Sequence, residues 1–188
     1  MKKLVTCAEM KNLDSATIHK IGVASEVLME RAALKVVEET EKYLEKNERI
    51  LVACGSGNNG GDGIAVARLL YLKGIRAEFY MAGNKEKMTR ETTLQYKIAT
   101  AYHVPEVNNP NWSEYTTIVD AVFGVGLARP IEGHYAKIIH EMNSARAKKI
   151  AVDIPSGVNG DTGLEMGIAF SADLTVTFAY AKRGLCFY

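Results

Sequence analysis

A glycine-rich segment that follows the first apolar run constrains the fold of this chain more than any other feature. Residues 55–63 read Gly-Ser-Gly-Asn-Asn-Gly-Gly-Asp-Gly, directly after the apolar residues 50–54. The next residues, 64–70, have the apolar spacing of a helix. A strand, a glycine-rich loop and a helix in this order direct backbone N–H groups and a helix dipole toward one point. The segment therefore predicts a phosphate-binding site; the alternative is a tight turn that needs only one or two glycines.

Two familiar phosphate loops do not fit this segment. Gly55, Gly57 and Gly60 match the dinucleotide-binding pattern G-x-G-x-x-G, but the next predicted strand does not end in the acidic residue that holds a ribose. Glu78 lies in the middle of that strand instead. Asp62 stands where a Walker A loop needs lysine. The segment therefore disfavours both a standard nicotinamide dehydrogenase and a P-loop kinase.

The N-terminal part of the chain predicts two helices. Thr6 and Glu9 have the spacing of a capping box, which predicts a helix over 7–20. A second amphipathic pattern predicts a helix from Ser25 to about Lys46.

Beyond these helices, predicted strands and helices alternate. The strands are predicted at 50–54, 75–82, 117–122, 149–153 and 173–179, and the helices at 62–73, 86–102 and 134–146. Several strands are apolar throughout, which is typical of a sheet covered on both faces. The pattern predicts an α/β fold: a three-layer α/β/α sandwich with a Rossmann-like, mostly parallel sheet, in one domain over residues 1–188.

Composition excludes several function classes. Hydrophobic residues make up 47% and charged residues 24% of the 188 positions, and the net charge is +1. This balance is that of an ordinary globular domain and gives no electrostatic reason to expect nucleic-acid binding. No segment has the length and apolarity of a membrane span or a secretory signal, so no membrane association is predicted. Three cysteines without metal-site spacing, at positions 7, 54 and 186, predict free and mostly buried thiols in the cytoplasm.

Two aspartates are predicted to end neighbouring strands. Asp120 lies near the end of the strand at 117–122, and Asp153 ends the strand at 149–153. Because ligands of parallel α/β sheets bind at the carboxyl ends of the strands, both are predicted to lie beside the glycine-rich segment. A carboxylate shielded by an apolar strand end has a raised pKa and can act as a general acid or base. The alternative for each is an aspartate that only caps a turn.

Oxygen-bearing side chains at the same edge suggest a cation site. Asn59, Asp120 and Ser156 could supply oxygen ligands, and no histidine or cysteine joins them. Such a set disfavours zinc, and its single carboxylate favours a monovalent cation over Mg²⁺ or Ca²⁺. The alternative is a hydrogen-bond network that holds the loops together.

Three motifs in this order resemble the YjeF N-terminal domain family. They are the segment 55–63, the segment 119–126 (Val-Asp-Ala-Val-Phe-Gly-Val-Gly), and the segment 153–157 (Asp-Ile-Pro-Ser-Gly) with Asp-Thr-Gly at 161–163. The two N-terminal helices match as well, so the resemblance covers nearly the whole chain. It implies the same three-layer fold and the family's best-known activity, which is epimerisation of hydrated NADH and NADPH (NADHX and NADPHX) at C6 of the nicotinamide ring.

The resemblance also implies roles for individual residues. Those that would bind the hydrated dinucleotide are Asn58, Asn59, Gly60, Gly61, Asp62, Gly124, Val125, Gly126, Leu127, Ala128, Arg129, Pro130 and Asp153. Asp153 would act on the reacting ring, and Asn59, Asp120 and Ser156 would bind one potassium ion per subunit. The functional partner would be an ADP- or ATP-dependent dehydratase that accepts only the S epimer, and the family is often homodimeric.

The chemistry of the implied substrate suggests how Asp153 would act. Loss of the C6 hydroxyl leaves an iminium cation that the ring nitrogen stabilises. We expect Asp153 to protonate the departing hydroxyl and then to stabilise the cation, while water returns to either face. Opening and reclosure of the ring would also invert C6, and the sequence distinguishes neither these routes nor NADHX from NADPHX.

Two other functions fit parts of the pattern. A non-catalytic nucleotide-binding or protein-interaction module of the same fold would keep the pocket, but Asn59, Asp120 and Asp153 are all retained. Another nucleotide-dependent enzyme would lack its usual lysine or ribose-binding acid. The family domain usually continues with a further strand beyond the Lys-x-Gly at 182–184, so we expect a domain cut short at its C-terminus, without a dehydratase domain.

Overall fold

A computed structural model describes residues 3–45 and 47–186 of the chain. The strands are β1 (Leu4–Val5), β2 (Arg49–Cys54), β3 (Arg76–Met81), β4 (Thr117–Ala121), β5 (Lys148–Val152), β6 (Leu174–Val176) and β7 (Ala181–Lys182). The helices are α1 (Cys7–Ala16), α2 (Ser25–Glu41), α3 (Asn58–Leu72), α4 (Arg90–Ala101) and α5 (Gly133–Ser144). Five strands form one parallel sheet in the order β3-β2-β4-β5-β6, and β1 pairs with β7 in a separate parallel pair.

The main sheet separates two apolar layers, because alternate residues of each strand face opposite sides. Ile50 and Val52 of β2 pack with α2, α3 and α4, whereas Leu51 and Ala53 pack with α5. All four side chains are fully buried. This arrangement confirms the predicted α/β/α sandwich and its parallel sheet.

The predicted start of α3 was wrong by four residues. The helix begins at Asn58, with Gly57 as its N-cap, so residues 58–63 of the glycine-rich segment belong to the helix and only 55–57 precede it. Close backbone packing explains the glycines there. A Cβ on Gly60 would lie 1.8 Å from the Gly55 carbonyl oxygen, and one on Gly55 would lie 2.0 Å from the Val122 carbonyl oxygen.

Other boundaries differ for local reasons. The predicted capping box of α1 is present, but the helix passes into a π-helical turn at Thr17–Ile21, which ends at Gly22 with φ of +88°. Helix α2 stops at Glu41, and Lys46, where its end was expected, lies outside the described residues. Helix α4 begins at Arg90 rather than 86, because the Thr89 side chain caps it. Strand β6 holds only three residues of the predicted 173–179.

The short β1–β7 pair was not predicted, and it connects the two ends of the described chain. Lys182 of β7 lies in register with Val5 of β1, which leads directly into α1. The Gly184 N–H donates to the Gly160 carbonyl oxygen at 2.8 Å, and the Cys7 N–H donates to Asp161 Oδ1 at 2.7 Å. The loop after β5 therefore fixes both segments beside the end of the main sheet.

Candidate active site

A cleft of about 1130 Å³ opens at the carboxyl ends of the main-sheet strands. One wall comes from α1, the π-helical turn and α2, with Met10, Ile18 and Leu28 among its apolar side chains. The opposite side comes from the start of α3, residues 122–127 after β4, Asp153 after β5, and residues 177–179 after β6. The volume exceeds what a drug-sized ligand needs, so the cleft can hold a dinucleotide.

Asp153 is placed in the cleft by an unusual backbone conformation. It is the residue directly after β5 and has φ of +67°, a region that asparagine and aspartate enter more readily than other side chains. Its N–H donates to the Val176 carbonyl oxygen at 2.8 Å, which anchors this turn to β6. The residue is 8% exposed, so its carboxylate is largely shielded from bulk water.

A buried lysine pairs with this carboxylate. Lys182 is 1% exposed, and its ammonium group donates to Asp153 Oδ1, to Thr177 Oγ1 at 3.0 Å and to the Phe178 carbonyl oxygen at 3.2 Å. Thr177 Oγ1 also donates to Asp153 Oδ1 at 3.2 Å. All three ammonium protons therefore have acceptors, and the pair presents Asp153 to the cleft as a carboxylate with a fixed orientation.

Asp120 has a different environment beneath the cleft. It is fully buried within β4 and makes no ion pair with any described residue. Ser156 donates to it twice, from Oγ to Oδ1 at 2.6 Å and from its N–H to Oδ2 at 2.7 Å, and the Val122 N–H donates to Oδ1 at 3.1 Å. Burial raises the pKa of Asp120 to about 6, although these hydrogen bonds oppose the shift.

The Asp120 network extends to the loop that lines the cleft. The Phe123 N–H donates to Ser156 Oγ at 2.8 Å, and a Cβ on the next residue, Gly124, would lie 3.2 Å from Asn59 Oδ1. Asn59 Nδ2 is buried without a hydrogen-bond partner among the described residues. The three predicted cation ligands, Asn59, Asp120 and Ser156, therefore converge on the segment 122–124.

Asp62 lies on the second turn of α3 and faces the same cleft. Its carboxyl group makes no hydrogen bond or ion pair with any residue that the structure describes. Burial and the nearby carboxylates of Asp153 and Asp14 raise its pKa well above the usual value, and Lys182 only partly opposes this. Asp62 thus differs from Asp153, whose carboxylate is paired with the Lys182 ammonium.

The structure places the predicted dinucleotide contacts in two groups. Those that line the cleft are Asn58, Asn59, Asp62, Gly124, Val125, Gly126, Leu127 and Asp153. Those that do not line it are Gly60, Gly61, Ala128, Arg129 and Pro130. Gly60 and Gly61 are buried against the protein, and 128–130 are exposed outside the cleft. Contacts to a ligand remain a prediction for both groups.

Sequence reasoning missed two parts of the site. Lys182 was recognised only as part of a loop at the sheet edge, although a lysine two residues before a glycine, after an apolar strand, was a signal. The wall formed by α1 and α2 had no signal beyond ordinary amphipathic spacing. Glu78, excluded as a ribose ligand, lies away from the cleft and accepts a hydrogen bond from Tyr115 Oη at 2.7 Å.

The three cysteines are free, but only Cys54 is buried; Cys7 is partly buried and Cys186 is exposed. The described residues contain no cluster of three or more His, Cys, Asp or Glu side chains that could hold a metal ion. Within residues 3–45 and 47–186, no helix combines the length and apolarity needed to cross a bilayer.

Curated relatives match nearly the full chain. A protein of Oenococcus oeni named NAD(P)H-hydrate epimerase is 49% identical over 183 residues, which is 96% of this chain and 87% of the relative. Proteins of the same name from Limosilactobacillus fermentum and Levilactobacillus brevis are 44% and 46% identical over 98% of this chain, covering 89% and 86% of their own lengths.

Comparisons of fold and of family agree with these relatives. The crystal structure of the yeast protein ynu0 superposes with a TM-score of 0.88, over 98% of this chain and 84% of that chain. At 24% identity, that likeness shows the fold alone. The family described as YjeF-related protein N-terminus matches residues 25–184, which contain all three motifs. The chain therefore belongs to the YjeF-related protein N-terminus family.

Proposed function

We propose that this protein is an isomerase that interconverts the R and S epimers of hydrated NADH or NADPH at C6 of the nicotinamide ring. The observation that carries the proposal is the ion-paired Asp153 in a dinucleotide-sized cleft. The relatives at 44–49% identity that are named NAD(P)H-hydrate epimerase support it.

Asp153 acts on the ring in this proposal. Heterolysis of the C6–O bond creates a positive charge shared between C6 and the ring nitrogen, and a preorganised carboxylate stabilises such a charge as it develops. Asp153 Oδ1 is occupied by Lys182 and Thr177, while Oδ2 makes no hydrogen bond with a described residue. Oδ2 is therefore the atom available to the ring, and the ammonium of Lys182 holds the carboxyl group in a fixed orientation.

The first experiment adds the purified protein to R-NADHX and follows the S epimer by chromatography. We expect equilibration at a rate far above the spontaneous one. A folded protein that gives no acceleration would instead indicate the alternative, a non-catalytic nucleotide-binding or protein-interaction module of this fold.

A second measurement separates the two chemical routes. In water enriched in ¹⁸O, the iminium route places solvent oxygen at C6 each time the stereocentre inverts. Ring opening and reclosure retain the original oxygen unless the aldehyde is hydrated. One labelled oxygen per inversion supports the role assigned to Asp153, and inversion without label contradicts it.

We also propose that one potassium ion binds near Asn59, Asp120 and Ser156. The Asp120 carboxylate is fully buried without a counter-ion among the described residues, and its three hydrogen bonds leave an acceptor position free on Oδ2. The buried Asn59 amide lacks a partner, and rotation about its Cβ–Cγ bond exchanges its nitrogen for an oxygen ligand. Oxygen donors with one carboxylate suit a monovalent cation. The ion would neutralise Asp120 and hold the loops at 122–124 and 156 in place.

Thermal unfolding tests this cation without reference to activity. A ligand that binds only the folded state raises Tm as its concentration increases. We expect potassium chloride to raise Tm more than choline chloride at equal ionic strength, and Asp120→Asn to abolish the difference. Equal effects of the two salts on the wild-type protein would contradict the potassium site.

Three further proposals follow from the same activity. The epimerase would act with an ADP- or ATP-dependent dehydratase that uses one epimer. Recovery of NADH from R-NADHX only when both proteins are present would support this.

Three free cysteines are in keeping with a cytoplasmic location. A homodimer is expected as well, and light scattering of the purified protein would test it.

A further inference from the structure

Asp62 and Asp153 face one cleft but have opposite environments. Asp153 is ion-paired with Lys182 and hydrogen-bonded to Thr177. Asp62 has neither kind of partner among the described residues, although both line the cleft. Pairs of carboxyl groups whose environments differ in this way divide acid and base roles between them in many enzymes.

The position of Asp62 follows from the glycines on either side of it. A Cβ on Gly61 would lie 2.7 Å from Met29 Cε, and one on Gly63 would lie 2.4 Å from Ala121 Cβ. Without side chains at these positions, α3 packs directly against α2 and the end of β4. This close packing brings the second turn of α3, and Asp62 with it, to the strand ends where Asp153 lies.

Charges from several elements act on Asp62. Asp153 follows β5 and Asp14 lies on α1, and both disfavour a negative charge on Asp62. Lys182 on β7 favours that charge, but its three ammonium protons are donated to Asp153, Thr177 and the Phe178 carbonyl oxygen. The other charged or titratable side chains that line the cleft are Lys11, His19, Arg31, Lys35 and Glu91. Burial and the two carboxylates dominate, and they raise the pKa of Asp62.

Asp153 is poorly suited to donate the proton that the sequence alone would assign to it. Its Oδ1 accepts from the Lys182 ammonium, and a proton on the same carboxyl group would weaken that pair. An unpaired carboxyl group beside a carboxylate holds a proton more readily. Two different residues are therefore better suited to the two roles, one to donate the proton and the other to stabilise the positive charge.

On the basis of the proposed epimerase function, we propose that Asp62 is the general acid of the reaction and that Asp153 remains a carboxylate throughout. The Asp62 carboxyl proton passes to the C6 hydroxyl oxygen, the C6–O bond breaks with its electron pair on oxygen, and water departs. The ring-nitrogen lone pair forms the C6=N bond of the iminium cation beside Asp153. Water then adds to C6 from either face, and its proton returns to Asp62 directly or through a second water molecule.

The test compares Asp62→Asn with the wild-type protein, using R-NADHX as the substrate. General acid catalysis contributes about 10²- to 10⁴-fold, so we expect kcat to fall by at least about 100-fold with a KM changed by less than about threefold. In the wild-type protein, kcat should fall as the pH rises through the pKa of Asp62. That alkaline limb should be absent from the residual activity of Asp62→Asn, and Asp62→Glu should restore part of the rate.

The matched control is Asp173→Asn, the same substitution at an exposed position outside the cleft, where an amide oxygen can still accept the Lys149 N–H. It should keep the wild-type rate and pH profile. An active wild-type protein with an equally active Asp62→Asn variant overturns this inference and leaves the proposed function standing. A KM that rises while kcat holds also overturns it, because Asp62 would then only bind. A wild-type protein without epimerase activity overturns both.

Discussion

Asp120 and Asp153 lie at the carboxyl ends of neighbouring strands of one sheet, and their environments show what a buried carboxylate can do. Asp120 is completely buried and accepts hydrogen bonds from two backbone N–H groups and one hydroxyl. Asp153 lies at the cleft, is paired with the Lys182 ammonium and leaves Oδ2 without a partner among the described residues. Asp120 therefore organises the loops, whereas Asp153 is available to a ligand.

The difference arises one residue beyond the strand. Asp120 is still within β4, where its side chain is fully buried and accepts hydrogen bonds from Val122 and Ser156 of the following loops. Asp153 follows β5 with a positive φ, which turns the chain at the strand end and points the side chain into the cleft. Identical side chains at similar sequence positions thus acquire different environments, through the backbone conformation at the strand end and through the distant residues that contact each of them.

The substitution Asp153→Asn should have the largest effect, which is a loss of catalytic activity. The amide has the same shape, tolerates a positive φ and can still accept from Lys182, but it lacks the charge that, in the proposed mechanism, would stabilise the ring cation. We expect kcat to fall by about 10³-fold or more, measured as R-to-S conversion of NADHX at a temperature well below Tm. Full activity in this variant would show that Asp153 is not the aspartate that acts on the nicotinamide ring.

Lys182→Met should have the next largest effect, on stability. It leaves the shielded Asp153 carboxylate without its cation, and removal of one partner of a buried pair costs about 3 kcal/mol of unfolding free energy. Urea denaturation measures this, and Lys149→Met is the control because, among the residues that the structure describes, its ammonium donates to two backbone carbonyl oxygens and to no carboxylate. The double variant with Asp153→Asn should lose less than the sum of the single losses.

A smaller loss is expected for Ser156→Ala. The substitution removes the hydroxyl that donates to Asp120 and accepts from the Phe123 N–H, leaving two buried polar groups with fewer partners. We expect about 2 kcal/mol of destabilisation. Ser144→Ala, which removes an exposed hydroxyl that donates to the His140 carbonyl oxygen, should cost less than about 0.5 kcal/mol. Equal losses of unfolding free energy in Ser156→Ala and Ser144→Ala would show that the Asp120 network does not stabilise the fold.

The smallest effect is the pH dependence of stability from Asp62. Its folded-state pKa lies above its unfolded value, so its contribution to stability is fully present below the unfolded pKa, at about pH 4, and is lost as the pH rises through the folded value. Asp62→Asn has no such loss. Its Tm should match that of the wild-type protein at about pH 4 and exceed it at pH 8, by calorimetry. A pH-independent difference would indicate an ordinary, solvated carboxylate.

Residue patterns along the chain were enough to predict the α/β/α sandwich, the parallel strands and the edge of the sheet where the candidate site lies. These follow from apolar periodicity and from alternation of strands with helices, which are local properties of the chain. The glycine-rich segment and the two aspartates were also recognisable, because residue type and position after an apolar strand carry that information.

The environment of each of those residues, in contrast, depends on the folded chain. The β1–β7 pair places Lys182 against Asp153, close packing makes the glycine-rich segment a helix start, and α1 with α2 closes the cleft. Asp153 and Lys182 are 29 residues apart in the chain. Their pairing, the isolation of Asp62 and the burial of Asp120 all depend on contacts between distant segments, and no local pattern in the sequence encodes the dielectric and charge that such contacts create.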